Sequence, residues 1–234
     1  MTTIADTITS RLSAVRDRLS AACMAAGRDP ASVRLLAVSK TFGSDAVLEA
    51  IAAGQLAFGE NYIAEGVEKI QSLSHHRNLE WHCIGPVQSN KTRLVAEHFD
   101  WVQSVDRLKI AQRLSEQRPQ HLLPLQICLQ VNVDGGANKS GVAPGELMAL
   151  VQDVIQLPRL RLRGLMTIPE PSADFAAACA VHAQAKALFD KINSSGLLAE
   201  TMDTLSMGMT ADVEAAVASG STMVRVGTAI FGGR

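Results

Sequence analysis

Short apolar runs alternate with amphipathic segments along most of the chain, and this alternation constrains the fold more than any other feature. The apolar runs have the length of strands and predict them near residues 33–40, 56–59, 80–85, 101–105, 125–133, 160–168, 203–207 and 223–227. The segments between them predict helices near residues 44–53, 61–72, 88–98, 106–117, 144–156, 172–195 and 210–219. Because a parallel crossover needs a helix of this length, the pattern favours the α/β class and a closed TIM (β/α)8 barrel.

An extra helix is predicted before the first strand, at residues 4–22. Its apolar residues recur at three- and four-residue spacing: Ile4, Ile8, Leu12, Val15 and Leu19. Little sequence follows the eighth strand, so we expect this helix to take the place of the eighth helix in the outer ring. Plausible caps precede three helices and plausible stops follow three, at Ser44, Ser89, Thr210, Gly54, Gly196 and Gly220. An open, doubly wound sheet is the alternative, because periodicity does not show closure.

Length and composition predict a single domain over residues 1–234. With 47% hydrophobic residues, the chain can bury a sizeable core and has the usual size of one barrel. The net charge is −1 with interspersed signs, so no nucleic-acid partner is expected. We find no secretory signal and no apolar stretch of bilayer length, and the four cysteines lack paired spacing. These features predict a cytoplasmic protein without a membrane partner.

A lysine closes the first predicted strand. Lys40 follows the apolar run at residues 33–38, where an unpaired ammonium would be costly to bury. A desolvated lysine gives up its proton readily, and the free amine can form a Schiff base with an aldehyde. Functional side chains of β/α barrels lie at this end of the strands. The alternative is a lysine that simply extends from a strand end into water.

Two later strand ends are rich in small residues and suit a phosphate. Ser206 and Gly208 lie at the end of the seventh strand, and Gly227 and Thr228 follow the eighth. The loops after these strands are the frequent phosphate site of this barrel, where backbone N–H groups hold the dianion. The alternative is that both glycines serve only tight turns. Together with Lys40, this phosphate site favours pyridoxal 5′-phosphate (PLP) as cofactor.

Arg225 is predicted to point into the barrel, because it lies two residues before Gly227 on the same strand face. A guanidinium there needs a partner, and the pyridine nitrogen of PLP is one candidate. An arginine would not protonate that nitrogen, so the ring would be a weaker electron sink than beside an aspartate. The alternative partner is an internal carboxylate such as Asp106 or Glu60.

Other polar clusters are less specific. Asn61 could bond a cofactor or cap the next helix. Residues 81–86 with Gln88, Asn90 and Lys91 could line the barrel mouth or satisfy loop backbone, and Asn132 with residues 138–141 forms a polar loop. The histidines lack two-ligand spacing, and nucleotide-binding and nucleophile-elbow motifs do not occur in the sequence. We therefore expect neither a metal site nor a nucleotide site.

Taken together, these segments resemble the pyridoxal phosphate homeostasis protein family (the YggS/PROSC type) across nearly the whole chain. The similarity rests on residues 37–41, 58–62, 82, 84–86, 88–91, 163–166, 205–209 and 220–232. It implies a barrel like the N-terminal domain of alanine racemase, with PLP as a Schiff base on Lys40. It also implies phosphate contacts at Ser206 and the Gly227–Thr228 loop, with the ring nitrogen near Arg225. Asn61 and Met166 would be further pocket residues.

The chain departs from the family pattern at three places. Phe42 and Gly43 stand where family members commonly have Lys-Pro, Gly136 stands about where a glutamate is usual, and Cys83 replaces a common aromatic residue. All three are expected beside the mouth, so they bear on loop shape and ligand access.

The resulting hypothesis is a non-catalytic protein that carries or buffers PLP and so maintains vitamin B6 homeostasis, with PLP-dependent apo-enzymes as candidate recipients. Racemase-like enzymes add a second domain and a tyrosine base opposite the lysine, whereas Tyr62 is the only tyrosine in this sequence. Without the domain that completes a racemase dimer, a monomer is favoured. The alternatives are a PLP enzyme with an unrecognised substrate and a Schiff-base aldolase acting on a sugar phosphate without PLP.

Overall fold

A closed barrel of parallel strands forms the centre of the molecule. The computed structural model describes residues 7–135 and 140–233. Within them, each strand pairs with the next along the chain and β8 pairs with β1, so the predicted barrel is confirmed and the open sheet is wrong. The strands are β1 (Arg34–Val38), β2 (Ala57–Glu60), β3 (Glu80–Cys83), β4 (Trp101–Val105), β5 (Leu125–Gln130), β6 (Leu160–Met166), β7 (Thr204–Met209) and β8 (Met223–Val226).

Helices follow the strands as predicted. They are α1 (Ile8–Ala25), α2 (Ser44–Ala52), α3 (Ile63–Ser72), α4 (Thr92–His98), α5 (Leu108–Gln117), α6 (Leu147–Val154), α7 (Phe175–Asn193), α8 (Val213–Ala218) and α9 (Thr228–Phe231), with a 3₁₀ turn at Pro30–Ser32. The predicted helix stops are confirmed, since Gly54, Gly196 and Gly220 all have positive φ.

The three predicted N-caps are wrong. Helices α2, α4 and α8 begin at or after those residues and are preceded by Gly43, Lys91 and Asp212. At α2 the proposed capping group has another partner, since the Ser44 hydroxyl bonds to the Ser72 hydroxyl of α3.

Helix α1 occupies the expected place in the outer ring, where it packs against α2, α8 and α9. Arg18 anchors it: Nε and Nη2 each donate to the Glu214 carboxylate at 2.6 Å, and Nη1 donates to the Thr210 carbonyl at 2.7 Å. The helix predicted to complete the barrel is thus tied to α8 and to the loop between β7 and α8.

Replacing Arg18 by alanine should lower the free energy of unfolding by about 0.5–1 kcal/mol, because a bidentate but half-exposed ion pair is lost. Urea unfolding would measure the change. Arg93→Ala is the matched control, since the pair of Arg93 with Glu97 is longer, at 3.6 Å, and well exposed. Equal losses in the two variants would contradict an anchoring role for Arg18.

The strands face two environments. Their outward residues pack under the helices in one large apolar core. Residues of the opposite parity line the inside of the barrel, where they form two small clusters: Leu36, Val38, Ala57, Ile84 and Met223, and Trp101, Cys128 and Met166. Polar side chains share this interior, including Gln103, Ser206 and Arg225, all of them buried. The interior of such a barrel is usually filled by apolar side chains, so these buried polar groups direct attention to the strand ends above them.

Candidate functional site

Lys40 stands at the rim of the barrel rather than within it. Strand β1 ends at Val38, and Lys40 lies in the turn that follows, with an exposed side chain. Among the described residues, its ammonium makes no ion pair and no hydrogen bond. The lysine therefore lies at the exit of the first strand, as predicted, although its side chain is exposed rather than desolvated. The amine is accessible to a ligand at the mouth.

The loop that carries Lys40 is held on both sides. Thr41 has a φ of 68°, a conformation that β-branched residues rarely adopt, and its N–H donates to Glu65 Oε1 at 2.5 Å. Phe42 stacks on Phe231 of α9, with ring centroids 5.2 Å apart. Phe42, one of the residues at which the sequence departs from the family pattern, therefore connects the Lys40 loop to the segment after β8.

A buried cluster of charged side chains lies beneath this loop. Lys69 Nζ donates to Glu60 Oε1 at 2.8 Å, to Glu65 Oε1 at 2.6 Å and to the Ser39 carbonyl at 2.7 Å. The Ser39 hydroxyl donates to Glu60 at 2.5 Å. Burial raises the pKa of Glu60, and the bonds from Lys69 and Ser39 offset only part of this effect. This cluster (Ser39, Glu60, Glu65 and Lys69) fixes the backbone on either side of Lys40.

Arg225 points into the barrel as predicted and is almost fully buried. Its Nη1 donates to the Ser206 carbonyl at 2.8 Å and hydroxyl at 2.7 Å, and its Nη2 donates to the Thr167 carbonyl at 2.7 Å. Burial lowers the pKa of Arg225 to about 10, so the guanidinium remains charged at neutral pH.

The proposed internal ion pair of Arg225 is wrong for both candidate carboxylates. Glu60 pairs with Lys69 and Asp106 pairs with Arg107, whereas the described side chains include no carboxylate in contact with Arg225. A buried cation with only neutral acceptors is costly unless something else compensates it. The hydroxyl oxygen of the neighbouring Thr167 is also buried and lacks a hydrogen-bond partner among the described residues.

The end of β7 has a constrained backbone. Gly208 has a φ of 94°, and a Cβ there would lie 2.4 Å from the Cβ of Ala216, so a larger residue does not fit. The Met209 N–H donates to Asp212 Oδ1 at 2.6 Å, and the other Asp212 oxygen bonds His182 at 2.9 Å. The Ser206 hydroxyl lies deeper and already bonds Arg225 and Gln103.

The end of β8 lies directly beside β1. A Cβ at Gly227 would meet the Val38 carbonyl at 3.1 Å, which explains the glycine at this close approach. Thr228 is exposed and opens α9. Since the first N–H groups of a helix have no intrahelical acceptor, the amides here are available to an anion.

The remaining predicted residues lie close to this mouth. Asn61 is half-buried just after β2, and it does not cap α3, whose cap residue is Tyr62. Met166 is fully buried inside the barrel beside Trp101. Gly136, Asn138 and Lys139 fall outside the described residues.

Sequence reasoning missed Gln103 as a site residue. It lies fully buried on β4 and bonds Ser206 and His82, which stacks on Trp101 with centroids 5.0 Å apart. A glutamine within the apolar run of residues 101–105 was the available signal, because a buried amide needs partners.

The described part of the chain supports neither a metal site nor a membrane-spanning helix. It contains no group of three or more His, Cys, Asp or Glu side chains able to hold a metal ion. None of its helices has the length and apolar character needed to cross a membrane.

Comparison with known proteins gives the family. Residues 10–234 match the family described as alanine racemase, N-terminal domain. The pyridoxal phosphate homeostasis protein of Pseudomonas aeruginosa is 58% identical over 97% of this chain and 96% of its own length. The solved structure of PipY from Synechococcus elongatus with PLP bound is 37% identical, with a TM-score of 0.84, over 97% of this chain and 100% of that one. Alanine racemase from E. faecalis shares only the fold, with 18% identity, a TM-score of 0.66 and 59% of its length covered. The chain belongs to the pyridoxal phosphate homeostasis protein family, within the wider family of alanine racemase N-terminal domains.

Proposed function

We propose that this protein binds PLP at the mouth of the barrel and carries or buffers it, and so maintains PLP homeostasis. The observation that carries the proposal is the pairing of β1 with β8, in which Leu36 lies opposite Arg225. On adjacent strand ends, this pairing brings together an accessible lysine, a glycine at close approach and a buried guanidinium that contacts no carboxylate of the described residues. The name of the Pseudomonas aeruginosa relative and the PLP bound in PipY support the same function.

The donor set fits PLP. Lys40 supplies an amine that has no partner among residues 7–135 and 140–233, and the backbone amides at Gly227 and Thr228, with the Thr228 hydroxyl, suit a phosphate. Arg225 would face the pyridine nitrogen. We further propose that Ser206 acts through Arg225 and that Gly208, Asn61 and Met166 shape the pocket.

Bound PLP would supply an aldehyde that condenses reversibly with the Lys40 amine and releases water. The protein's own contribution is to hold the amine at an accessible rim and to retain the phosphate by several N–H groups. Such an arrangement sequesters a reactive aldehyde and still allows its release. Carrying PLP requires only this reversible retention and no catalytic group.

Catalysis would need a second acid or base opposite the lysine, and the described residues offer poor candidates. Tyr62 is largely exposed. Burial raises the pKa of the Cys83 and Cys128 thiols to about 12, so neither is a thiolate at neutral pH. We therefore propose that the protein is non-catalytic. As separate proposals, it is a monomer in the cytoplasm and its recipients are PLP-dependent apo-enzymes.

Titration of the purified protein with PLP should produce a visible absorption band, and borohydride reduction followed by peptide mapping should locate the pyridoxyl group on Lys40. The loaded protein should racemise no amino acid at an enzyme-like rate, and it should restore activity to a PLP-free enzyme. Racemisation lost in Lys40→Ala would favour the enzyme alternative. A protein that stays colourless would instead overturn the cofactor proposal.

A further inference from the structure

A continuous hydrogen-bond chain crosses the barrel interior below the proposed PLP site. Ser206 Oγ lies 2.7 Å from Arg225 Nη1 and 2.7 Å from Gln103 Oε1. Gln103 Nε2 lies 2.9 Å from His82 Nδ1, and His82 Nε2 lies 2.7 Å from Glu80 Oε1. This interior chain (Arg225, Ser206, Gln103, His82 and Glu80) runs from the mouth to the first residue of β3, at the opposite end of the barrel.

The Glu80 carboxylate at the far end of the interior chain determines which group donates and which accepts in each of its hydrogen bonds. Although burial opposes the shift, the hydrogen bond from His82 and the neighbouring Arg34, which donates to Glu80 Oε1 at 3.0 Å, lower the pKa of Glu80. An ionised carboxylate only accepts, so His82 Nε2 must carry a hydrogen. Burial lowers the pKa of His82, and the ring is therefore neutral with a bare, accepting Nδ1.

The neutral ring then orients Gln103. The amide nitrogen must face the accepting Nδ1, and its second N–H points at Met223 Sδ, 3.2 Å away. The amide oxygen is left to accept from the Ser206 hydroxyl. Ser206 consequently offers a lone pair to Arg225, and every group in the interior chain donates away from the guanidinium.

We propose that Gln103, His82 and Glu80 are positioning residues for bound PLP, acting through Ser206 to hold the Arg225 guanidinium against the pyridine ring. The inference rests on the proposed function. The other two acceptors of Arg225 are backbone carbonyls, fixed by the barrel itself. The Ser206 hydroxyl can rotate, and the amide of Gln103 keeps it turned away from Arg225. Reversal of that amide would aim a donor at Ser206 and disturb the guanidinium.

The test compares the visible band and dissociation constant of PLP in variants along the interior chain. Gln103→Leu should raise the dissociation constant about 5- to 10-fold, the worth of one or two hydrogen bonds, and shift the band. Glu80→Ala should shift the band in the same direction, whereas Glu80→Gln keeps an acceptor for His82 and should restore it. Gln126→Leu is the matched control, because Gln126 bonds Arg163 and lies outside the interior chain. It should leave the band unchanged.

A second measurement needs no PLP. Nitrogen-15 NMR of the PLP-free protein should show His82 with a protonated Nε2 and a bare Nδ1, and a protonated Nδ1 would overturn the inference. If wild type forms the PLP band but Gln103→Leu and Glu80→Ala match it in band and affinity, the inference fails alone. If wild type takes up no PLP, the proposed function fails and this inference fails with it. Should Gln103→Leu not fold, the Glu80 pair decides, since that side chain is partly exposed.

Discussion

Replacing Lys40 by alanine is expected to abolish covalent capture of PLP. After incubation with PLP and borohydride reduction, peptide mapping of wild type should find a pyridoxyl group on Lys40, and the variant should carry none at that loop. The reason is that Lys40 supplies an accessible amine beside the close approach of Gly227 to β1. Because the side chain is exposed, the free energy of unfolding should change by no more than about 0.5 kcal/mol.

Two further variants sharpen this experiment. Lys40→Arg keeps the positive charge but cannot condense with an aldehyde, so it should behave like Lys40→Ala in the labelling and separate covalent from electrostatic retention. Lys91→Ala removes an exposed lysine from the loop after β3 and should label as wild type does. Labelling of Lys40→Ala at the wild-type level would place the attachment on another amine.

The largest loss of stability is expected from Lys69→Met. Lys69 and Glu60 are 4% and 0% exposed, and the substitution leaves the Glu60 carboxylate buried without a cation. Removing one member of a buried pair costs about 3–5 kcal/mol, which urea unfolding at neutral pH would measure. Lys186→Met is the control, because its pair with Asp190 is exposed and should contribute no more than about 0.5 kcal/mol.

The deficit of Lys69→Met should shrink as the pH falls. Burial holds the pKa of Glu60 above its unfolded value, so the folded protein binds this proton more tightly. The resulting cost is fully present above the folded pKa and is relieved as pH falls through it toward the unfolded value. Lys69 lowers this pKa, so its removal raises it further and widens the window. Glu60→Gln combined with Lys69→Met should recover much of the loss at neutral pH; a deficit independent of pH and of Glu60 would sink this explanation.

A feature of this fold could be predicted from the sequence when local sequence determines it, and could not when contacts between distant segments determine it. The alternation of apolar and amphipathic segments predicted the barrel. Both faces of a strand in a closed parallel sheet are buried, so the sequence of such a strand is mostly apolar. The inward direction of Arg225 followed from strand parity alone. That the whole chain forms one domain stays a prediction.

The rest depended on contacts between distant segments. The exposure of Lys40 reflects where β1 ends, and that end is set by Glu65 and Lys69 on α3. The Ser206 hydroxyl accepts from Arg225 and donates to Gln103, three strands away in sequence order. No local sequence pattern therefore distinguishes a phosphate ligand from a member of this interior network. The cap predicted at Ser44 failed for the same reason, since its hydroxyl bonds to Ser72 on α3.

Capture of PLP also depends on closure of the barrel. Strand β1 is made before its partner β8, and until the two pair β1 keeps an open edge. Lys40, just after β1, and Arg225 on β8 are brought to neighbouring strands only by that pairing, which joins segments far apart in the sequence and is therefore expected to form slowly. A molecule whose barrel has not closed lacks this arrangement, so retention of PLP is expected to distinguish closed molecules from open ones.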